Sequence, residues 1–208
     1  MSHPSPLPLR ILHCLRLKGF ADVAGIARSI GADRTPVDHE VAQLYTHELV
    51  ALPGHGALGW ALTSAGRTES ERLVAAELDA AGVRRPITSA YERFLGLNGE
   101  VRSICTEWQI RDDVLNDHAD VSYDRHVIGR LAQLHDNAGP VCADLAAQLE
   151  RFACYGERLG ATLERLVAGD GQWFTQPLID SYHTVWFELH EDLLATLGID
   201  RAAEASRT

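Results

Sequence analysis

Residues 35–50 read TPVDHEVAQLYTHELV and residues 60–67 read WALTSAGR, with the glycine-rich stretch PGHGALG (53–59) a few residues after the first. Thr35 followed by Pro36 predicts a helix start, a capping hydroxyl and then proline at the first helical position. Asp38, three residues after Thr35, adds a capping-box-like carboxylate. Val37, Val41, Leu44 and Leu49 form the inward stripe of this helix. Leu49–Leu52 then reads as a short strand, Pro53–Gly59 as a turn and Trp60–Leu62 as a return strand, so that two strands flank a glycine-rich tip. Thr63 caps a further helix running to about Ala81, in which Leu73, Val74 and Leu78 keep a helical period.

Upstream of this stretch, Pro8–Lys18 predicts a helix with Leu9, Ile11, Leu12 and Leu15 inside, closed by Gly19. Asp22 is positioned to cap a second short helix with Val23, Ile26, Ala27 and Ile30 apolar, and Gly31-Ala32-Asp33 makes the turn that follows. Gly82-Val83-Arg84-Arg85-Pro86 marks a boundary, because glycine ends the preceding pattern and proline disfavours a helical residue before it. The expected organisation is a first domain at residues 1–82 and a second at 87–208. The charge divides at the same place. The 208 residues hold 19 Lys and Arg against 29 Asp and Glu, for a net charge of −10. All of that excess lies in residues 86–208, and residues 1–85 are neutral. An acidic balance argues against a general polyanion binder and leaves room for a reader with a small local binding face.

The second part reads as amphipathic helices. Ile87, Tyr91, Phe94, Asn98, Val101, Cys105 and Trp108 alternate at spacings of four and three, a heptad-like seam that predicts one helix to about Ile110. Residues 111–123 read as a loop and His126–Asn137 as a helix. Gly139-Pro140 is expected to break the chain before a third helix, Val141–Ala168. A last helix is expected over Gln176–Leu197, with Pro177 near its start and Gly198 past its end. The fold class expected is therefore mainly α: an N-terminal winged helix-turn-helix domain of three helices plus a small β-wing, then a C-terminal helical bundle.

The order helix, helix, TPVDHEVAQLYTHELV, glycine-rich tip, WALTSAGR resembles the winged-helix domain of MarR-like and PadR-like transcription regulators, over about residues 8–80. The resemblance implies that the third helix enters the major groove of an operator in double-stranded DNA and that the wing tip approaches the backbone. It places Thr35, His39, Gln43, Thr46 and His47 on the reading face, His55 at the wing tip, and Arg28, Arg34 and Arg67 as phosphate anchors. It also implies a homodimer, because operators are often palindromic. The third helix departs from the pattern in carrying Asp38 and Glu40 and no Lys or Arg between Val37 and Leu49. That departure keeps open a second reading, a winged-helix adaptor whose acidic helical domain docks a partner enzyme without DNA.

In the second part, Tyr182, His183, Trp186 and His190, with Tyr91, Trp108 and Arg130 from other helices, combine aromatic walls with a few polar groups and form a candidate pocket for a small-molecule effector. The plainer reading of the same aromatic residues is ordinary core with satisfied polar tips. A metal site is not implied: His183 and His190 are seven residues apart, and only Asp180 and His183 have the spacing of a one-turn pair. No cofactor is implied, and the sequence lacks a nucleophile elbow, a phosphate loop and a dinucleotide fingerprint, so an enzyme is not expected. The four cysteines Cys14, Cys105, Cys142 and Cys154 form no C-x-x-C pair and read as buried free thiols. Neither a signal peptide nor a membrane-spanning run is legible, and the reading is cytoplasmic.

Overall fold

A computed structural model describes residues 2–54 and 59–201. It is mainly helical, with a small antiparallel sheet, and clusters into two compact units: Met1–Arg84 with Ala146–Cys154 and His190–Thr208, and Arg85–Leu145 with Tyr155–Leu189. The units are not consecutive halves of the chain. The first gives way to the second close to the boundary expected from Gly82–Pro86, but it also takes in two segments from the C-terminal part.

In the first unit, α1 (Leu7–Lys18) buries Leu9, Ile11, Leu12 and Leu15 and ends at Gly19, whose φ of +78° suits a residue without Cβ. Phe20–Ala21 forms β1, a strand with no alternating pattern to announce it. α2 (Val23–Ile30) is capped by Asp22, whose carboxylate accepts a 2.6 Å hydrogen bond from Gly25 N, and closes on left-handed Gly31. α3 (Arg34–Thr46) begins two residues earlier than expected. Its cap position is Asp33, which makes no side-chain capping bond, and Thr35 lies inside the first turn. Pro36 permits this, because the amides of the first turn have no partner within the helix and proline loses nothing there. Val37, Val41 and Leu44 point into the core.

β2 (Val50–Ala51) and β3 (Trp60–Leu62) follow, and β3 lies between its two neighbours in the order β1-β3-β2. Phe20 pairs with Ala61 on one side of β3, and Val50 pairs with Leu62 on the other. α4 (Ser64–Ala81) starts at Thr63, whose hydroxyl oxygen accepts from Gly66 N at 3.0 Å, and ends at left-handed Gly82. Both ends match the expectation.

In the second unit, α5 (Arg84–Gln109) starts at Arg84, with Pro86 tolerated in its first turn, and buries every member of the heptad seam except the half-buried Asn98. The expected loop 111–123 contains a hairpin, β4 (Ile110–Arg111) and β5 (Val114–Leu115), with Asp112 and Asp113 at positive φ in its tip. α6 (Val121–Gln148) runs straight through the expected break at Gly139-Pro140. The buried positions Leu131, Leu134, Ala138, Val141 and Leu145 stay in helical phase across the proline, so the buried face holds the helix together where one backbone bond is missing.

The chain breaks instead at extended Leu149, followed by a 3-10 turn, Glu150–Phe152, and α7 (Ala153–Val167). α8 (Tyr182–Leu197) begins six residues after the expected Gln176. Phe174 O accepts from His183 N at 3.0 Å and Ser181 Oγ from Thr184 N, so residues 174–181 form the turn that caps it. The core of this unit stacks Phe94 on Trp186 at 4.7 Å and Trp108 on Phe174 at 4.5 Å. Among the described residues, no helix is long and apolar enough to cross a membrane.

Candidate functional site

The buried stripe of α3 leaves Thr35, Asp38, His39, Gln43, Thr46 and His47 exposed on the other side of the helix. These carry hydroxyl, imidazole and amide groups, and the Thr46 hydroxyl is already spent on Ala42 O of the preceding turn at 3.0 Å. Tyr45, which sequence reasoning missed, is 56% exposed and rests edge-on against Trp60 at 5.5 Å, presenting a phenol beside the same face. No simple pattern finds it, since Tyr45 follows Leu44 and reads as an extension of the core stripe.

Arg28 at the end of α2 and Arg34 at the start of α3 border one concavity of about 700 Å³, together with Arg10, Gly31 and Asp33. Arg10 is committed inside the protein: it donates to Ile30 O and lies 3.5 Å from Glu150. Arg28 and Arg34 are exposed, and neither has an ion pair among the described residues. Arg67 is exposed on the first turn of α4. His55 lies outside the described residues.

Of the seven residues expected to form a ligand pocket, Trp108 alone lines one of the cavities described for the two units. Tyr91, Tyr182 and Trp186 are buried in the packing of the second unit. Trp186 Nε1 donates to Asn98 Oδ1 at 3.0 Å, and the Tyr182 hydroxyl lies 3.3 Å from His135 Nδ1, burial pushing that phenol well above its usual range. Arg130 is paired with Glu107; the bond from the guanidinium holds that carboxyl below the usual carboxylate range. His183 is exposed, and His190 is buried within the first unit. Only Trp108 reaches the large cavity of the second unit.

That cavity has a volume of about 1030 Å³. One side is the first half of α6, from Val121 to Ala132, and the other is the end of α7 with the Gly169–Gln176 segment. Trp108 and His118 sit at its inner edge, with ring centroids 4.3 Å apart. His118 has a positive φ of 57°, and its Nδ1 lies 3.0 Å from Asp124 Oδ2; Asn116 Nδ2 donates to Asp124 Oδ1 at 3.1 Å. Gly171 packs closely here, where a Cβ would lie 3.1 Å from the Trp108 ring. Nothing in the 111–123 stretch, which reads as an acidic loop, announces this arrangement.

A second polar cluster lies wholly within the first unit. Arg151 Nε donates to Glu77 Oε2 at 2.8 Å, and its other nitrogens reach Asp192 and Thr196, all of them buried. Among the described residues, no group of three or more His, Cys, Asp or Glu side chains could hold a metal ion. Comparisons with protein-family models, curated proteins and solved structures found no match for this chain.

Proposed function

We propose that this chain is a dimeric, DNA-binding transcription regulator of the winged-helix kind, with a helical part that senses a small ligand. The carrying observation is the joint geometry of α2, α3 and the sheet. Two helices meet at the Gly31–Asp33 turn, the second presents a continuous polar face over a buried Val37–Val41–Leu44 stripe, and of the strands that follow β3 lies between β1 and β2. In this reading Gln43 and His39 contact base edges, and His47 and Thr35 flank them. Arg28 and Arg34, with no ion pair among the described residues, take phosphate oxygens, and Arg67 takes another. Lacking arginine on the exposed face of α3 beyond its first residue, the protein forgoes the bidentate contact to guanine and reads through amide, imidazole and phenol groups.

A genomic selection followed by gel shift on the full chain tests this. The expected result is sequence-selective, salt-sensitive binding. Replacing Gln43 and His39 together by alanine is expected to remove selectivity while the fold persists. Arg28→Ala or Arg34→Ala is expected to weaken binding to all sequences alike, lowering the slope of log affinity against log salt by about 0.9 for each phosphate no longer neutralised. No DNA binding at low salt, with tight binding to a host protein, overturns the reading in favour of an adaptor.

A further inference from the structure

We propose that the cavity between the first half of α6 and the Gly169–Gln176 segment binds an organic monoanion with an aliphatic body, its carboxylate held by Arg125. This rests on the reading of the helical part as a ligand sensor and places the ligand away from the buried aromatic residues Tyr91, Tyr182 and Trp186. The volume, about 1030 Å³, lies at the upper end of the roughly 300–1,000 Å³ found for small-molecule pockets.

The charge of the ligand follows from the lining. Three of its side chains are titratable: His118, Asp124 and Arg125. Asp124 is already engaged by His118 and by the Asn116 amide. Arg125 has no hydrogen bond or ion pair among the described residues, which leaves one guanidinium with its donors unengaged at the cavity. The first amides of α6 supply no second anion-binding element. They donate to the Asp120 carboxylate (Ser122 N at 3.0 Å, Tyr123 N at 3.1 Å) and are already occupied. One guanidinium matches one carboxylate, with two parallel hydrogen bonds.

The body of the ligand follows from the walls. Val121, Ile128, Ala132, Leu166 and Val167 supply aliphatic surface, and Val121 and Val167 remain 57% and 68% exposed beside it. The aromatic ring of Trp108 is already stacked on Phe174 and packed against His118. An alkyl chain covers this surface; a ring stacked on the indole has no place.

The probe is octanoate, titrated into the full chain by calorimetry and followed by the fluorescence of its tryptophans, with 1-octanol and octylamine as neutral and cationic counterparts. Saturable binding of octanoate is expected, at least tenfold tighter than either counterpart. Arg125→Gln is expected to weaken octanoate at least tenfold and leave 1-octanol unchanged, and Arg125→Lys to restore part of the affinity. Gly129 lines the cavity on an exposed turn of α6, and a Cβ there meets nothing within 4 Å. Gly129→Trp is therefore expected to fill the cavity, abolish binding of all three probes and preserve the thermal midpoint. Unchanged octanoate binding in Gly129→Trp or Arg125→Gln, preference for octylamine, or no saturation by octanoate at millimolar concentration overturns the proposal. The titration uses no DNA. A chain that binds octanoate but no operator fails the regulator reading alone, and one that binds operator but no octanoate fails this inference alone.

Discussion

At the residue scale, the guanidinium of Arg151 determines how the first unit closes. Its side chain is 4% exposed and lies between Glu77 and Asp192, each 3% exposed, while Ser5 Oγ donates to Glu77 and His13 Nε2 lies 3.0 Å from Asp192 Oδ1. Burial alone would depress the Arg151 pKa, but Asp192 and Glu77 hold it above its ordinary value, so the ion stays charged. Removing one partner of a buried pair strands the others. Arg151→Ala is expected to lower unfolding free energy by about 3–5 kcal/mol in urea titrations, and Arg151→Met combined with Glu77→Gln and Asp192→Asn to recover much of it. His135 acts through pH. Burial is the main cause that holds its imidazole below the ordinary histidine value, with Asp136 opposing. The unfolded chain takes up the proton first, so the contribution is complete above about pH 6.5 and declines as pH falls from there towards the lowered folded value. Comparing urea midpoints at neutral and mildly acidic pH should show a smaller acid decline in His135→Gln than in the parent; an equal decline would mean that other groups govern that limb.

At the scale of elements, two helical glycines have opposite meanings. A Cβ on Gly66, in the first turn of α4, would lie 1.8 Å from the Leu49 carbonyl oxygen, which also accepts from Thr63 N at 3.1 Å. The helix start is thus pressed against the entry to β2, and Gly66→Ala is expected to disrupt the sheet and lower the melting temperature sharply. Gly96, on the exposed side of α5, has nothing within 4 Å of a built Cβ. Gly96→Ala is expected to add roughly 0.5–1 kcal/mol through helix propensity alone. Circular dichroism melts of the two variants separate the cases, and a similar effect in both would contradict the packing at Leu49. Sequence alone distinguishes neither: the Thr63 cap is visible in W-A-L-T-S-A-G-R, but the carbonyl that excludes a side chain at Gly66 comes from another element. The same limit applies to Pro140, where local propensity argues for a break and the continuous buried face of α6 overrides it.

At the scale of the molecule, the first unit draws on distant parts of the chain. His3 and Ser5 bond to the 148–150 segment, with His3 N donating to Gln148 O at 2.9 Å, and Arg151, Asp192 and Thr196 complete the buried cluster around Glu77. A fragment of residues 1–85 keeps α1 to α4 yet leaves Glu77 and His13 without these neighbours. It is expected to lack a cooperative urea transition, or to show one at far lower urea than the full chain; equal stability would mean that the cluster adds nothing. The helix caps at Asp22 and Thr63, the stripe of α3, the heptad seam of α5 and the exposed polar face with Gln43 and His39 were legible in the sequence. Each depends on hydrogen bonds or periodicity within a few residues, which the order of side chains encodes directly. The pairing of Phe20–Ala21 with β3, the recruitment of Arg151 and Asp192 to Glu77, the burial of the expected pocket aromatics and the cavity beside Arg125 were decided by tertiary packing. They join groups separated by tens of residues, whose attraction leaves no local signal until the chain has folded.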